Sequence, residues 1–305
     1  MVLEEKGGTW PKSIFKVLIM DRIDVLKTYK IYIGGKFPRT ESGRYFQVKD
    51  KKGKLLANMC LSSRKDFRNA VVFARKAQKS WQSKTALNRG QILYRIAEML
   101  ECRKSQFIDE LMMTGLSKLK AKKEVEQSID RLIYYSGWSD KFQQIFSSVN
   151  PVASSYFNFS ILEPMGVVSV ISPNQHSLLG LVSVLAPIII GGNTCVVLAS
   201  ELNPMVCISF SEVLKTSDVP DGVVNIISGK RIELISHFAS HKDVNSIIYC
   251  GDINVEVEKI EKLAVENLKR VTIYKQKSWD TQDSQSPYFI KRNHEIKTIW
   301  HPIEV

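Results

Sequence analysis

Nothing in the sequence is long and apolar enough to span a bilayer. The longest apolar run, 178–190, falls short of the roughly 20 residues a membrane helix needs and contains Pro187. The first residues include Glu4 and Glu5, with no signal-peptide core or cleavage site and no arginine-rich transit sequence. The expectation is therefore a cytoplasmic protein that does not engage membranes. Cysteine is sparse. The five present (Cys60, Cys102, Cys195, Cys207 and Cys250) include no Cys-x-x-Cys pair, which argues against a disulfide framework and a zinc site and for reduced core thiols. Of the five histidines, only His237 and His241 are spaced four apart on a predicted helix. No third ligand accompanies them, so no metal is expected. RNA-recognition, zinc-finger and helix-turn-helix signatures are also missing.

What is present is ample core material. The chain has 305 residues, 44% of them hydrophobic and 24% charged, a globular balance that excludes wholesale disorder. The net charge of +12 is spread over lysine-rich stretches (Lys49, Lys51, Lys52 and Lys54; Lys118, Lys120, Lys122 and Lys123) and reads as solvated faces. Nucleic acid is not an expected partner.

Residues 1–27 read as an N-terminal extension or linker. The stretch 29–37 alternates and turns at Gly34-Gly35 as a hairpin does, and 47–59 holds two short strands around Lys52-Gly53. Ser63 to Asp66 resembles a capping box. It opens a helix whose apolar face carries Phe67, Ala70, Val71, Ala74, Ala77 and Trp81. A second helix starts near Leu87, and a third runs from about Lys118 to Phe142. The stretch 154–162 alternates as a half-exposed strand with an aromatic edge that needs a partner. Residues 163–201 then read strand, turn, buried helix, turn, strand, a βαβ unit. Alternation continues to Tyr274: helix at 204–215, strand at 222–228, helix at 231–240, strand at 246–249, helix at 253–264 and strand at 269–274. This pattern predicts an α/β fold with a parallel sheet flanked by helices. Residues 275–287 are a polar link, and 297–300 is a last strand-like piece.

Several ordered segments together resemble the aldehyde dehydrogenase superfamily. They are EPMGVVSVISPN (family E-P-x-G-V-v-x-x-I-x-P-W-N), the AP-x-x-x-GGNT turn (family A-P-A-L-A-A-G-N-T), VPDGVVNIISG (family L-P-x-G-V-V-N-v-v-t-G), YCGD (family F-T-G-S) and ENLKRVTIYKQK (family L-K-x-v-t-L-E-L-G-G-K). KTIWHP is similar to the family's C-terminal oligomerisation strand. Within the family the likeness is to the shortened second unit of the two-unit, family-16 type.

The resemblance implies a Rossmann-like domain at 28–150 and 163–274 of the aldehyde dehydrogenase cofactor-domain type. It also implies a small β oligomerisation element at 151–162 and 288–305, with 275–287 replacing the catalytic domain. The family's chemistry uses a cysteine thiolate, an oxyanion-holding asparagine, a glutamate base and a bound nicotinamide dinucleotide. Carried over residue by residue, the asparagine survives as Asn174, for which a helix N-cap is the competing and preferred assignment. Tyr274 stands at the base position, and the nucleophile's segment is absent. The cofactor positions are degenerate: Ser172, Pro173, Asn174, Leu198 in place of a lysine, Ser200, Glu201, Gly229, Gly251 and Asp252 in place of a serine. Lys230, Arg231 and Ile235 bring bulk where the family has small residues. Cys250 lies nearest a ligand-facing turn, but with no base beside it a core thiol is preferred. The expected protein is a non-catalytic unit without cofactor. It would act as a homo-oligomer or with an intact aldehyde dehydrogenase unit, through the strands at 154–162 (Ser154 and Leu162 at the ends) and 297–300 (Lys297 and Trp300). The alternative is a residual NAD(P)-binding oxidoreductase acting on aldehydes.

Overall fold

The computed structural model describes residues 25–251, 253–275 and 278–303. The first layer holds β1 (Thr28–Tyr29), β2 (Tyr45–Lys49) and β3 (Leu55–Cys60). Helices α1 (Arg64–Gln82), α2 (Ala86–Cys102), α3 (Lys104–Met113), α4 (Lys118–Ser136) and α5 (Phe142–Phe146) come next, then β4 (Ser148–Asn150) and β5 (Tyr156–Pro164). The alternating half is β6 (Val167–Ile171), α6 (Ser177–Ile190), β7 (Thr194–Leu198), α7 (Pro204–Lys215), β8 (Val224–Ile227), α8 (Arg231–Ser240), β9 (Ser246–Cys250), α9 (Asn254–Ala264) and β10 (Arg270–Tyr274). A one-turn helix, α10 (Tyr288–Lys291), leads into β11 (His294–Pro302).

The five central strands pair in the order β10-β9-β6-β7-β8, all parallel. β6 through β9 are buried along their whole length, as strands covered on both faces must be. One face packs on α2, α4, α6 and α7; the other packs on α1, α8 and α9. Every residue of α6 is buried, Pro187 included. The strand order runs outward in both directions from β6, so a crevice opens at the carboxyl ends of β6 and β9.

The hairpin at Gly34-Gly35 forms. Ile33 and Lys36 exchange backbone hydrogen bonds of 3.0 and 3.1 Å across it. Both glycines have positive φ, 58° and 74°, as the turn demands. Tyr32 then bridges to Ile226, laying this first layer against the β8 edge. Ser63 caps α1 through a complete capping box with Asp66.

Four expectations need correction. The third helix ends at Ser136 with Gly137 as its C-cap, instead of running to Phe142. The unforeseen α3 buries only Phe107, Glu110 and Leu111, too thin a stripe to read from sequence. The strand expected at 154–162 runs over Tyr156–Pro164 instead, and it has the partner it was expected to need: β5 is the middle of a three-stranded antiparallel sheet, β11-β5-β4. Its partner β11 is nine residues long, pairing from His294–Pro164 to Pro302–Tyr156. Cys102 is exposed, while the other four thiols are buried. Of the extension at 1–27, residues 1–24 lie outside the described residues.

Candidate functional site

Parallel topology brings the sequence-predicted positions to one edge. Ser172, Pro173 and Asn174 come after β6, Leu198 ends β7, and Ser200 and Glu201 lead into α7. Gly229 precedes α8, Gly251 comes directly after β9 and Tyr274 ends β10. Asp252 lies outside the described residues.

Asn174 is not the N-cap of α6. That place belongs to His176, in the left-handed region at φ 51°, whose side chain makes no cap hydrogen bond. The capping acceptor comes from another helix. Oε1 of Glu124 on α4 accepts from the Leu178 and Leu179 amides at 3.0 and 3.4 Å. Burial raises the Glu124 carboxyl pKa, and these two amides pull it back. Asn174 instead ties two loops together. Its Oδ1 accepts from the Glu201 amide at 3.0 Å, and its carbonyl accepts from the Ser200 and Ser177 hydroxyls.

Glu201 is turned to structure as well, accepting from the Arg231 amide at 2.8 Å at the start of α8. Leu198 is wholly buried at the end of β7 and presents no cation. Arg231, only 6% exposed, reaches across the carboxyl edge of the sheet. Its Nη2 donates to the Ser172 carbonyl, and its guanidinium lies 6.0 Å from the Tyr249 ring centre. Ile235 faces the core, and Lys230 lies over the Phe46 ring. Around Arg231 is a cleft of about 400 Å³ whose lining includes Asn174, Tyr249, Gly251, Lys275 and Trp279. A Cβ on Gly251 would come within 2.6 Å of the Tyr249 hydroxyl, and one on Gly229 within 2.9 Å of Leu234. Two buried polar atoms here, Arg231 Nε and Ser172 Oγ, have no partner among the described residues.

Tyr274 is buried, its ring centre 4.7 Å from Phe289 and 6.0 Å from Trp279, with the Arg292 guanidinium 5.4 Å away. Burial pushes its phenol up to about 12, so it holds its proton at neutral pH. Cys250 is buried and its thiol raised by the same cause. A protonated, enclosed thiol is a poor nucleophile. His237 and His241 share a groove with Arg64 and Arg68, cations that disfavour a metal ion. Among the described residues no group of three candidate ligands comes together. No helix among them is long and apolar enough to cross a membrane.

Sequence reasoning missed Glu124 and His176. For Glu124 the signal was there: a carboxylate set into the buried stripe of Ala121, Val125, Ser128 and Ile129.

Comparison with known proteins places this geometry in context. Residues 38–274 match the model of the aldehyde dehydrogenase family. The mouse cytosolic 10-formyltetrahydrofolate dehydrogenase is 28% identical over 251 residues, covering 80% of this chain and 28% of that protein. Cytosolic aldehyde dehydrogenase 1 of Elephantulus edwardii is 28% identical over 256 residues, covering 80% of this chain and 49% of that one. Among solved structures, the NAD+ complex of the Bacillus cereus aldehyde dehydrogenase aligns at 25% identity with a TM-score of 0.76, covering 81% of this chain and 50% of the other. PnpE from Pseudomonas sp. WBC-3 aligns at 26% identity with a TM-score of 0.77, covering 81% of this chain and 50% of that one. The chain thus spans half or less of each of these four proteins.

Proposed function

The chain belongs to the aldehyde dehydrogenase family, and from that premise we propose that it is a degenerate, non-catalytic member that works by protein association. The observation that carries this reading lies at the end of β10 and just beyond it. Tyr274 stands where the family's base is expected and is packed under Trp279 and Phe289. From there the chain passes through 275–293 directly into β11, where the resemblance calls for most of a catalytic domain. Leu198 in place of a lysine and Arg231 lying across the crevice fit the same reading.

The test is to measure aldehyde oxidation and cofactor binding together on the purified chain. The expected result is no NADH or NADPH formed from aliphatic or aromatic aldehydes, and no calorimetric heat with millimolar NAD or NADP. Turnover above the buffer rate would overturn the non-catalytic reading.

Association is assigned to the β11-β5-β4 sheet. The outer edge of β11 is unpaired among the described residues, and Ile296, Trp300, Tyr156 and Phe157 are exposed on or beside it. Such an edge invites a second chain. Gel filtration with light scattering should give a dimer or larger, or co-elution with an intact aldehyde dehydrogenase. A strict monomer that ignores both would sink this part.

One observation favours the second reading, residual binding of NAD or NADP. Arg231 lines the 400 Å³ cleft, and its guanidinium is a cation that a phosphate oxygen would pair with. On that reading NADP gives heat, and Arg231→Leu abolishes it.

A further inference from the structure

The first residue of α8, Arg231, lies at one cleft, and a second groove lies at the other end of the same helix, close to where β9 begins. This groove, of about 360 Å³, runs between the first turns of α1 and the last turn of α8. Arg64 and Arg68, one turn apart on α1, form one wall, and His237 and His241, one turn apart at the end of α8, form the other. The buried Phe67 locks the two walls together: its ring stacks on Phe238 at 4.0 Å and meets the His241 ring edge-on at 5.7 Å. The groove is lined by donors. A guanidinium can only donate. His241 accepts the Asp243 amide at Nδ1, at 3.3 Å, so its neutral ring carries the proton on Nε2 and donates from there. The Lys242 ammonium and the Ser240 hydroxyl lie beside it.

These cations are not spent on the protein itself. Nearby Arg44 and Lys65 are paired with Glu233 and Glu41, whereas Arg64, Arg68 and Lys242 have no ion pair among the described residues. The carboxyl end of α8 does not claim them either, because Lys269 serves it, donating to the His241 and Val244 carbonyls at 2.7 and 2.9 Å. We propose that this groove binds a phosphorylated small molecule, its phosphate held between the Arg64 and Arg68 guanidiniums and the His237 and His241 rings. A carboxylate is planar and is satisfied by one guanidinium fork. A phosphate presents three oxygens and up to two charges, and so meets donors from two helices at once. The inference depends neither on the non-catalytic reading nor on the Arg231 cleft. It also carries a pH dependence. Burial first, then Arg64 and Lys259, hold His237 below its ordinary value; burial, Lys269, Arg68 and Arg64 do the same for His241 against the opposing pull of Asp243. A bound anion favours the charged imidazoles, so binding takes up protons and tightens as pH falls.

Calorimetry with pyrophosphate, and with citrate as a multiply charged carboxylate, tests the chemistry. Pyrophosphate should bind at least tenfold more tightly. The Arg64→Gln, Arg68→Gln double variant should weaken that binding at least tenfold, and each single variant should show part of the loss. Both side chains are exposed, so the thermal transition should stay that of the parent. Arg231→Leu should leave pyrophosphate binding unchanged, which separates the two ends of α8. Sulfate, whose charge is constant from about pH 6 to 8, reads the histidines: its affinity should rise at least threefold on going from pH 8 to 6, and His237→Gln with His241→Gln should abolish the rise. Lys269 is common to both proteins, so that difference belongs to the histidines. Silence toward pyrophosphate and sulfate at millimolar concentration would overturn the proposal. So would citrate binding as tightly as pyrophosphate, a sulfate affinity indifferent to pH, or binding that ignores the arginine variants or is lost with Arg231.

Discussion

A carboxylate buried in an apolar helical stripe costs stability unless it is given donors, and Glu124 is given two. Replacing it by leucine leaves the Leu178 and Leu179 amides open at the start of a fully buried helix. The expected loss in urea unfolding is about 2–4 kcal/mol, while Glu124→Gln, which keeps an acceptor oxygen, should cost about 1 kcal/mol. The pH dependence has a defined sign. The folded carboxyl pKa is raised above the ordinary 4.5, so the folded state holds the extra proton and the parent loses stability as pH climbs through the folded value. The gap between the parent and Glu124→Gln should therefore narrow as pH rises from about 4.5. The thiols give a second residue-scale test. Only Cys102 is exposed, so one of the five should react with a thiol reagent in the native protein, and all five after unfolding. Burial pushes the Cys195 and Cys207 thiols up to about 12 and raises Cys250. On unfolding, these three thiols ionise from about pH 9 upward, which they do not do in the folded state. Cys195, Cys207 and Cys250 thus each remove about 1.4 kcal/mol of stability per pH unit between 9 and 12, and Cys195→Ala should flatten that slope in equilibrium unfolding.

Elements with a strong local period were legible in the sequence; those defined by a distant partner were not. The β6–α6–β7 unit declared itself by an apolar run between two turns, and α8 by its composition, because nothing remote decides either. The end of α4 was overrun, since Trp138 and Phe142 continue the four-residue spacing of Tyr134 beyond Ser136. Asn174 looked like a cap because it comes after Pro173 and precedes a helix. The actual cap comes from Glu124 on α4: its place in that helix's buried stripe was legible, but nothing near Asn174 announces that it caps α6. β5 was legible as a strand in need of a partner, but its long pairing with β11, far along the chain, follows from the assembled fold. At the site, Leu198 and Tyr274 could be read as replacements, but that Arg231 would reach Ser172 depends on how α8 seats on the sheet. Turn geometry gives a further test at this scale. Gly222 has φ +90°, and a Cβ there would lie 2.6 Å from the Phe73 backbone carbonyl on α1. Gly222→Ala should therefore destabilise by about 2–4 kcal/mol in denaturant, more than the loss of glycine's flexibility alone would allow.

For the molecule as a whole, the association reading concentrates on one sheet. Trp300 is exposed on β11 and meets Tyr156 edge to face at 5.9 Å. Trp300→Asp should leave the thermal transition of the parallel-sheet half within a few degrees of the parent while shifting the light-scattering mass to that of a monomer. If the mass stays unchanged, the contact lies elsewhere. The same sheet also bears on the order of folding. The strand that enters the second half of the parallel-sheet domain, β5, and the strand that leaves it, β11, are zipped to each other from His294–Pro164 onward. Closing that zipper first would mean fixing the ends of the whole loop 165–293 with little local reward, an entropic cost that falls away once β6 to β10 have assembled and brought those ends together. The β5–β11 pairing is therefore a late event, available only to chains whose parallel sheet is already in place. A surface built this way reports on completion: any partner that reads it is reading whether the rest of the chain has folded.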